Sequence, residues 1–128
     1  MVRQEFNVKH YWKVIVYYDV DYSFFDSINK ELIDAGFSGE PLAELWYTMT
    51  AGEAKAVTCS DINNHLSIVL FNKHNDRLDY LNSLVHEAEH IKQAMLEAYE
   101  VENSGEPPAY TIGYLVEKMW KVFSKVVG

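Results

Sequence analysis

Apolar residues along this chain fall into two kinds of pattern, solid runs of strand type and stripes at helical spacing. Residues 11–20, YWKVIVYYDV, are rich in β-branched and aromatic side chains, and Asp19 and Asp21 bound them, which predicts a strand. The following DYSFFDSINKELIDAGF changes period. Phe24, Phe25, Ile28, Leu32 and Ile33 make one helical stripe, Asp21 or Ser23 can cap its start, and Gly36 stops it. PLAELWYTMTAGEAKAVTCSD is mixed; Gly52 marks a turn and KAVTCS has the composition of a short strand.

HLSIVLFNK, residues 65–73, carries the strongest strand signal and is a candidate edge strand. A long helix follows, with Asn75 or Asp76 as cap and Leu78, Leu81, Leu84, Val85, Ala88, Ile91 and Met95 recurring at three and four. The break ENSGEPP contains Gly105, Pro107 and Pro108. Proline is tolerated in a first helical turn, so a last helix starts there and runs through AYTIGYLVEKMWKVFSKVV. The order β-α-(β)-β-α-α predicts an α+β fold. In it a small, mostly antiparallel sheet packs against helices on one face, and residues 1–128 form a single domain.

Composition narrows the function. Hydrophobic residues make up 48% of the chain and aromatics 14%, enough for a core without covalent staples. The formal net charge of −8 repels phosphate backbones, so no nucleic-acid partner is expected, while converging carboxylates would favour a cation. Cys59 is the single cysteine, which rules out an internal disulfide and suggests a reducing compartment. Arg3, Glu5, Lys9 and Lys13 interrupt the start of the chain, so no signal-peptide core is expected. No stretch approaches ~20 apolar residues, so no membrane span is expected either, and the reading is of a soluble cytoplasmic protein.

The chemistry concentrates in LVHEAEHIKQ, residues 84–93. One helical turn separates His86 from His90, which leaves them rotated by only ~40° and ~6 Å apart along the axis. Two imidazoles so placed can reach one metal ion. Glu87 is rotated ~100° from His86, so it leans over the open position of the metal and can take a proton from bound water. This is the H-E-x-x-H logic of zinc peptidases, with Zn²⁺ as the expected cofactor. Glu89, between the base and the second histidine, is charged and has to face solvent or pair with a cation such as Lys92.

A catalytic zinc site usually takes three protein ligands. Glu97, Glu106 and Glu117 are the downstream candidates. A tight helix hairpin would bring Glu117 opposite His90, a crossing helix would bring Glu106, and periodicity does not choose between them. Tyr110 and Tyr114 share a face of the last helix and can donate to an oxyanion. His65 and His74 flank the strand and read as exposed, and Asp61 reads as a turn residue. Trp12, Tyr17, Tyr18, Trp46 and Trp120 are many large aromatics for this length and are candidates for an interface.

Three pieces in order, SD before an IVLF strand, LNSLVHEAEH, and GEPPAYTIGYL, resemble a group of small zinc-peptidase-like proteins of phages and bacterial mobile elements. That group is similar to the minimal zincin-like domain of the broader H-E-x-x-H peptidases. The resemblance spans about residues 60–115. It implies a zincin-like active-site helix, zinc ligation by His86 and His90, and the base role for Glu87. A glutamate in an E-x-x-A segment supplies the third ligand in such peptidases, which matches Glu106-Pro107-Pro108-Ala109 here. Glu89 and the proline pair depart from the pattern. The function so implied is a zinc metallopeptidase acting on a peptide or protein, with Tyr110 as a candidate oxyanion donor. The alternatives are a zinc-bearing interaction or regulatory module of the same origin, and a metal-free protein-binding domain.

Overall fold

The two most apolar runs of the chain become the two central strands of one sheet. A computed structural model describes residues 1–9, 11–100 and 105–126, the side chain of Glu106 excepted. Strands β1 (Val2–Val8), β2 (Trp12–Tyr18), β3 (Ala56–Asp61) and β4 (Leu66–Phe71) lie in the order β1-β2-β4-β3. The pairings β1·β2 and β3·β4 are antiparallel and β2·β4 is parallel. A parallel pair needs a crossover, and helices α1 (Phe25–Asp34) and α2 (Gly39–Thr50) lie within it. Helices α3 (Arg77–Ala98) and α4 (Glu106–Val126) complete an α+β fold.

Helices cover both faces of the sheet, rather than the one face that the sequence predicts. Val14, Val16 and Tyr18 of β2 join Val69 and Phe71 of β4 under α3 and α4, against Leu84, Ala88, Ile91, Leu115 and Met119. The alternate residues Ile15, Tyr17, Ile68 and Leu70 face Ile28 and Leu32 of α1 and Leu42, Leu45, Trp46 and Met49 of α2. A strand buried on both faces reads as a solid apolar run, which is why its two-sidedness is hidden in a linear pattern. Strand 65–73 is correspondingly central and not an edge; the edge strands are β1 and β3.

The interface candidates are revised in the same way. Trp12, Tyr17, Tyr18 and Trp46 are all buried, and Trp120 alone of the five is exposed. Buried polar ends find partners: Trp12 Nε1 donates to Ser67 Oγ at 3.0 Å, and Trp46 Nε1 to Asn29 Oδ1 at 2.9 Å. Among the described residues no helix is long and apolar enough to cross a membrane.

Local chemistry sets the ends of the site-bearing elements. Asp76 caps α3, its carboxylate accepting from Leu78 N at 2.8 Å. Pro107 and Pro108 sit in the first turn of α4, where their missing N–H groups have no intrahelical partner to lose. Asp61 shapes the β3–β4 hairpin by accepting from the backbone N–H groups of Asn63 and Asn64 at 3.1 and 3.2 Å, the expected turn role. Gln4 ties β1 to α4: its amide donates to Lys118 O at 2.8 Å while its oxygen accepts from Tyr18 Oη at 2.8 Å.

Candidate metal centre

Helix α3 presents three faces. Leu84, Ala88, Ile91 and Met95 form the buried stripe. About 60–120° to one side lie Glu87, His90 and Ala94, the side toward β3. About 80–120° to the other side lie Lys92 and Leu96, which are buried and face the side of α4. Helix α4 packs over β1 and α3 over β3 and β4, so the histidine pair and α4 occupy opposite flanks of α3.

The pair itself forms as the spacing predicts. Nε2 of His90 lies 3.1 Å from Nε2 of His86, with the rings edge to face at 4.7 Å between centroids. Both rings are exposed. Nitrogens bound at ~2.0–2.1 Å to one tetrahedral zinc stand about 3.3–3.4 Å apart, so the pair, here in mutual hydrogen-bond contact, is within a few tenths of an ångström of the ligating separation. Each of His86, Glu87 and His90 offers one ligand atom, and these atoms lie within 4.8 Å of one another. The donor set of two imidazoles and a carboxylate suits a borderline-soft divalent ion.

Glu87 differs from its neighbours in burial. Only 3% of the residue is exposed, and its Oε1 accepts from Thr58 Oγ1 of strand β3 at 2.8 Å. Its Oε2 stands 4.0 Å from His86 Nε2. Sequence reasoning misses Thr58. It sits 29 residues away in the chain, and the alternation of AVTCSD becomes informative only once the face of β3 toward α3 is known.

The remaining candidates are placed as follows. Glu89 pairs with Lys92 Nζ at 2.7 Å, as the spacing predicts, and this pair, aided by a hydrogen bond from Gln93, holds its carboxyl below the usual range against the opposing effect of burial. Glu97 lines the same groove as the histidines, but seven residues of helix put it ~10 Å along the axis from His90. Glu117 is two residues from the buried Leu115, hence rotated ~200° from the core, and faces away from the pair. It lines a separate depression with Tyr110, Tyr114, Val8 and Lys9. Tyr110, 71% exposed, lies in that depression too, so the structure does not bring its hydroxyl to His86 and His90. Glu106 opens α4, and its side chain lies outside the described residues.

The two histidines expected to be exposed are instead packed. His65 stacks on Trp12 at 5.4 Å and meets Tyr99 edge-on. His74 bridges Asn72 O at 2.7 Å and Ser83 Oγ at 2.9 Å and stacks on Tyr80. Neither belongs to the metal-competent cluster.

The groove beside the pair has a volume of ≈ 480 Å³, with Ala56, Thr58 and Ser60 of β3 on one wall and His86, Glu87 and His90 on the other. Strand β3 is an edge, so among the described residues one side of its backbone has no strand partner. No family model, curated protein or solved structure matches the chain.

Proposed function

We propose that the protein is a zinc-dependent metallopeptidase of minimal zincin type, as its likeness to the small phage and mobile-element proteins implies. The observation that carries this reading is the convergence of His86, His90 and the buried carboxylate of Glu87 on one point beside an edge strand. A zinc ion held by the two histidines would supply Lewis-acid activation of a water and of the scissile carbonyl. The resemblance of its E-x-x-A segment puts Glu106 forward as the third ligand, whereas α4 lies on the far flank of α3, so the geometry itself supports only His86, His90 and Glu87.

The roles of the chain's own groups follow from their placement. His86 and His90 hold their Nε2 atoms close to ligating separation, and an ion between them would replace their mutual hydrogen bond. Glu87 receives the proton of the attacking water at Oε2, the oxygen not engaged by Thr58. Among the described residues β3 has no strand partner on its outer side along the groove, where an extended peptide would add as a further strand and carry its carbonyl past the pair. The substrate is therefore an extended peptide segment or an exposed strand of a protein, rather than a folded surface.

A second reading keeps zinc and omits catalysis, as an interaction or regulatory module. It is favoured by one observation: among the described residues no further carboxylate, thiol or imidazole joins the cluster of three. One experiment separates the two. The parent, purified without chelator, is compared with His86→Ala, Glu87→Gln and Glu106→Gln for zinc per chain and for hydrolysis of a randomised internally quenched peptide mixture. The peptidase reading expects about one zinc in the parent, loss of zinc in His86→Ala, weakened zinc in Glu106→Gln, and retained zinc with lost hydrolysis in Glu87→Gln. Zinc in the parent without hydrolysis selects the second reading, and a parent that takes no zinc ends both.

A further inference from the structure

We infer that Thr58 is the positioning residue for Glu87, a role that rests on the peptidase reading above. The hydroxyl reaches Glu87 because of strand register. Thr58 pairs with Val69 of β4, and Val69 belongs to the core under α3, so Thr58 faces α3 as well. Its neighbours Val57 and Cys59 pack on the opposite face, against the core of α1 and α2. A slip of one residue would replace the hydroxyl with an isopropyl group or a thiol.

A carboxylate this deeply buried needs a donor, and Thr58 supplies it at 2.8 Å. Among the described residues the only other polar group paired with it, His86 Nε2, stands 4.0 Å from Oε2, beyond hydrogen-bond reach. A threonine hydroxyl has one proton, and here it is committed to Oε1. Oε2 keeps its lone pairs on the side of the histidines. With Oε1 engaged by Thr58, Oε2 is the oxygen that faces the histidines and is placed to accept the proton of a water held there. The anchoring atom lies on a strand held by hydrogen bonds to β4 along its whole length, from Ala56 to Asp61, and is thus more rigid than a solvent-exposed side chain. Thr58 does not touch the reacting atoms; it sets which oxygen of the base does.

The test compares Thr58→Val, which removes the hydroxyl at nearly constant shape, with Thr58→Ser, which retains it. Zinc content is measured in each, with kcat and KM on the quenched peptide mixture. The expected result is unchanged zinc, a fall of about 10–100-fold in kcat for Thr58→Val with little change in KM, and recovery to within about threefold in Thr58→Ser. A second readout uses metal-free protein: the urea midpoint in a double-mutant cycle of Thr58→Val and Glu87→Ala. The Thr58→Val shift is expected to vanish in the Glu87→Ala background. If Thr58→Val does not fold, Thr58→Ala enters the same comparison. Parent-like kcat in Thr58→Val, or additive midpoint shifts, overturns the role of Thr58 while leaving the peptidase reading intact. A parent without zinc or hydrolysis overturns that reading, and the positioning role with it, whatever the cycle gives.

Discussion

Lys92 turns Glu89 away from the histidine pair. The ammonium lies 2.7 Å from the Glu89 carboxylate, and Lys92 is only 7% exposed. The flank that carries this pair is the one toward α4, whereas Glu87 and His90 belong to the flank toward β3. A charged residue inside the H-E-x-x-H segment is thereby neutralised without entering the groove. Replacing Glu89 with Ala leaves a buried ammonium without its counter-charge, at a cost of about 1–3 kcal/mol. Urea denaturation should show that loss, while zinc stoichiometry stays at the parent value.

Acid stability should depend on Glu31. Burial raises its carboxyl pKa, but hydrogen bonds from Arg3 and Tyr17 outweigh this and hold it below the ordinary value of 4.5. A depressed folded pKa means stabilisation that is present above the unfolded value and lost as pH falls through the folded one. The thermal midpoint should therefore decline below about pH 4.5, and Glu31→Gln should decline less steeply. Parallel pH profiles for parent and variant would remove Glu31 from this account.

Two glycines should respond in opposite directions to alanine. Gly36 ends α1 at φ +98°, a conformation that strains any side chain, so Gly36→Ala should lose about 1 kcal/mol. Gly113 lies inside α4 and, its own stretch of helix aside, no described atom comes within 4 Å of where a Cβ would stand. Gly113→Ala should gain about 0.5–1 kcal/mol from helix propensity. Chemical denaturation of the two variants against the parent checks both signs.

Cys59 should be slow to react. Burial pushes its thiol up to about 11, so little thiolate exists near neutral pH. Ellman's reagent at pH 8 is expected to label the folded protein at least tenfold more slowly than the urea-unfolded chain. Equal rates would mean that β3 opens readily, which would also weaken the anchorage of Thr58.

Core truncation tests whether α4 belongs to the same cooperative unit. Leu115 is fully buried with Leu84, Ile91 and Met119. Leu115→Ala should cost about 2–5 kcal/mol and leave a single unfolding transition when followed by circular dichroism and tryptophan fluorescence.

Much of the fold is legible in the chain because it is local. Strand β2, strand β4, α1, α3 and the start of α4 at the GEPP break all follow from period, caps and breakers. Strand β1 escapes because Gln4 puts a polar side chain on the inward face that Phe6 and Val8 share, so only two apolar residues mark its alternation with the exposed Arg3, Glu5 and Asn7. Helix α2 escapes because Leu42, Leu45, Trp46 and Met49 repeat at helical spacing within a stretch that then changes to turn and strand. The stripe of α1 is narrower than its sequence suggests: Ile28 and Leu32 are buried while Phe24, Phe25 and Ile33 are exposed.

By itself the sequence determined the histidine pair, since two residues four apart on a helix share a face whatever surrounds them. It also determined the charged neighbour's partner, because Glu89 and Lys92 are three apart. Tertiary structure decided everything that depends on strand order and packing. It placed β3, not β4, at the edge beside the pair, set α4 on the far flank of α3, turned Glu117 and Tyr110 toward a different depression, and brought Thr58 to Glu87. Helical periodicity is written in consecutive residues. The pairing of strands and the flank against which a helix rests are settled only when distant segments bury their apolar faces together.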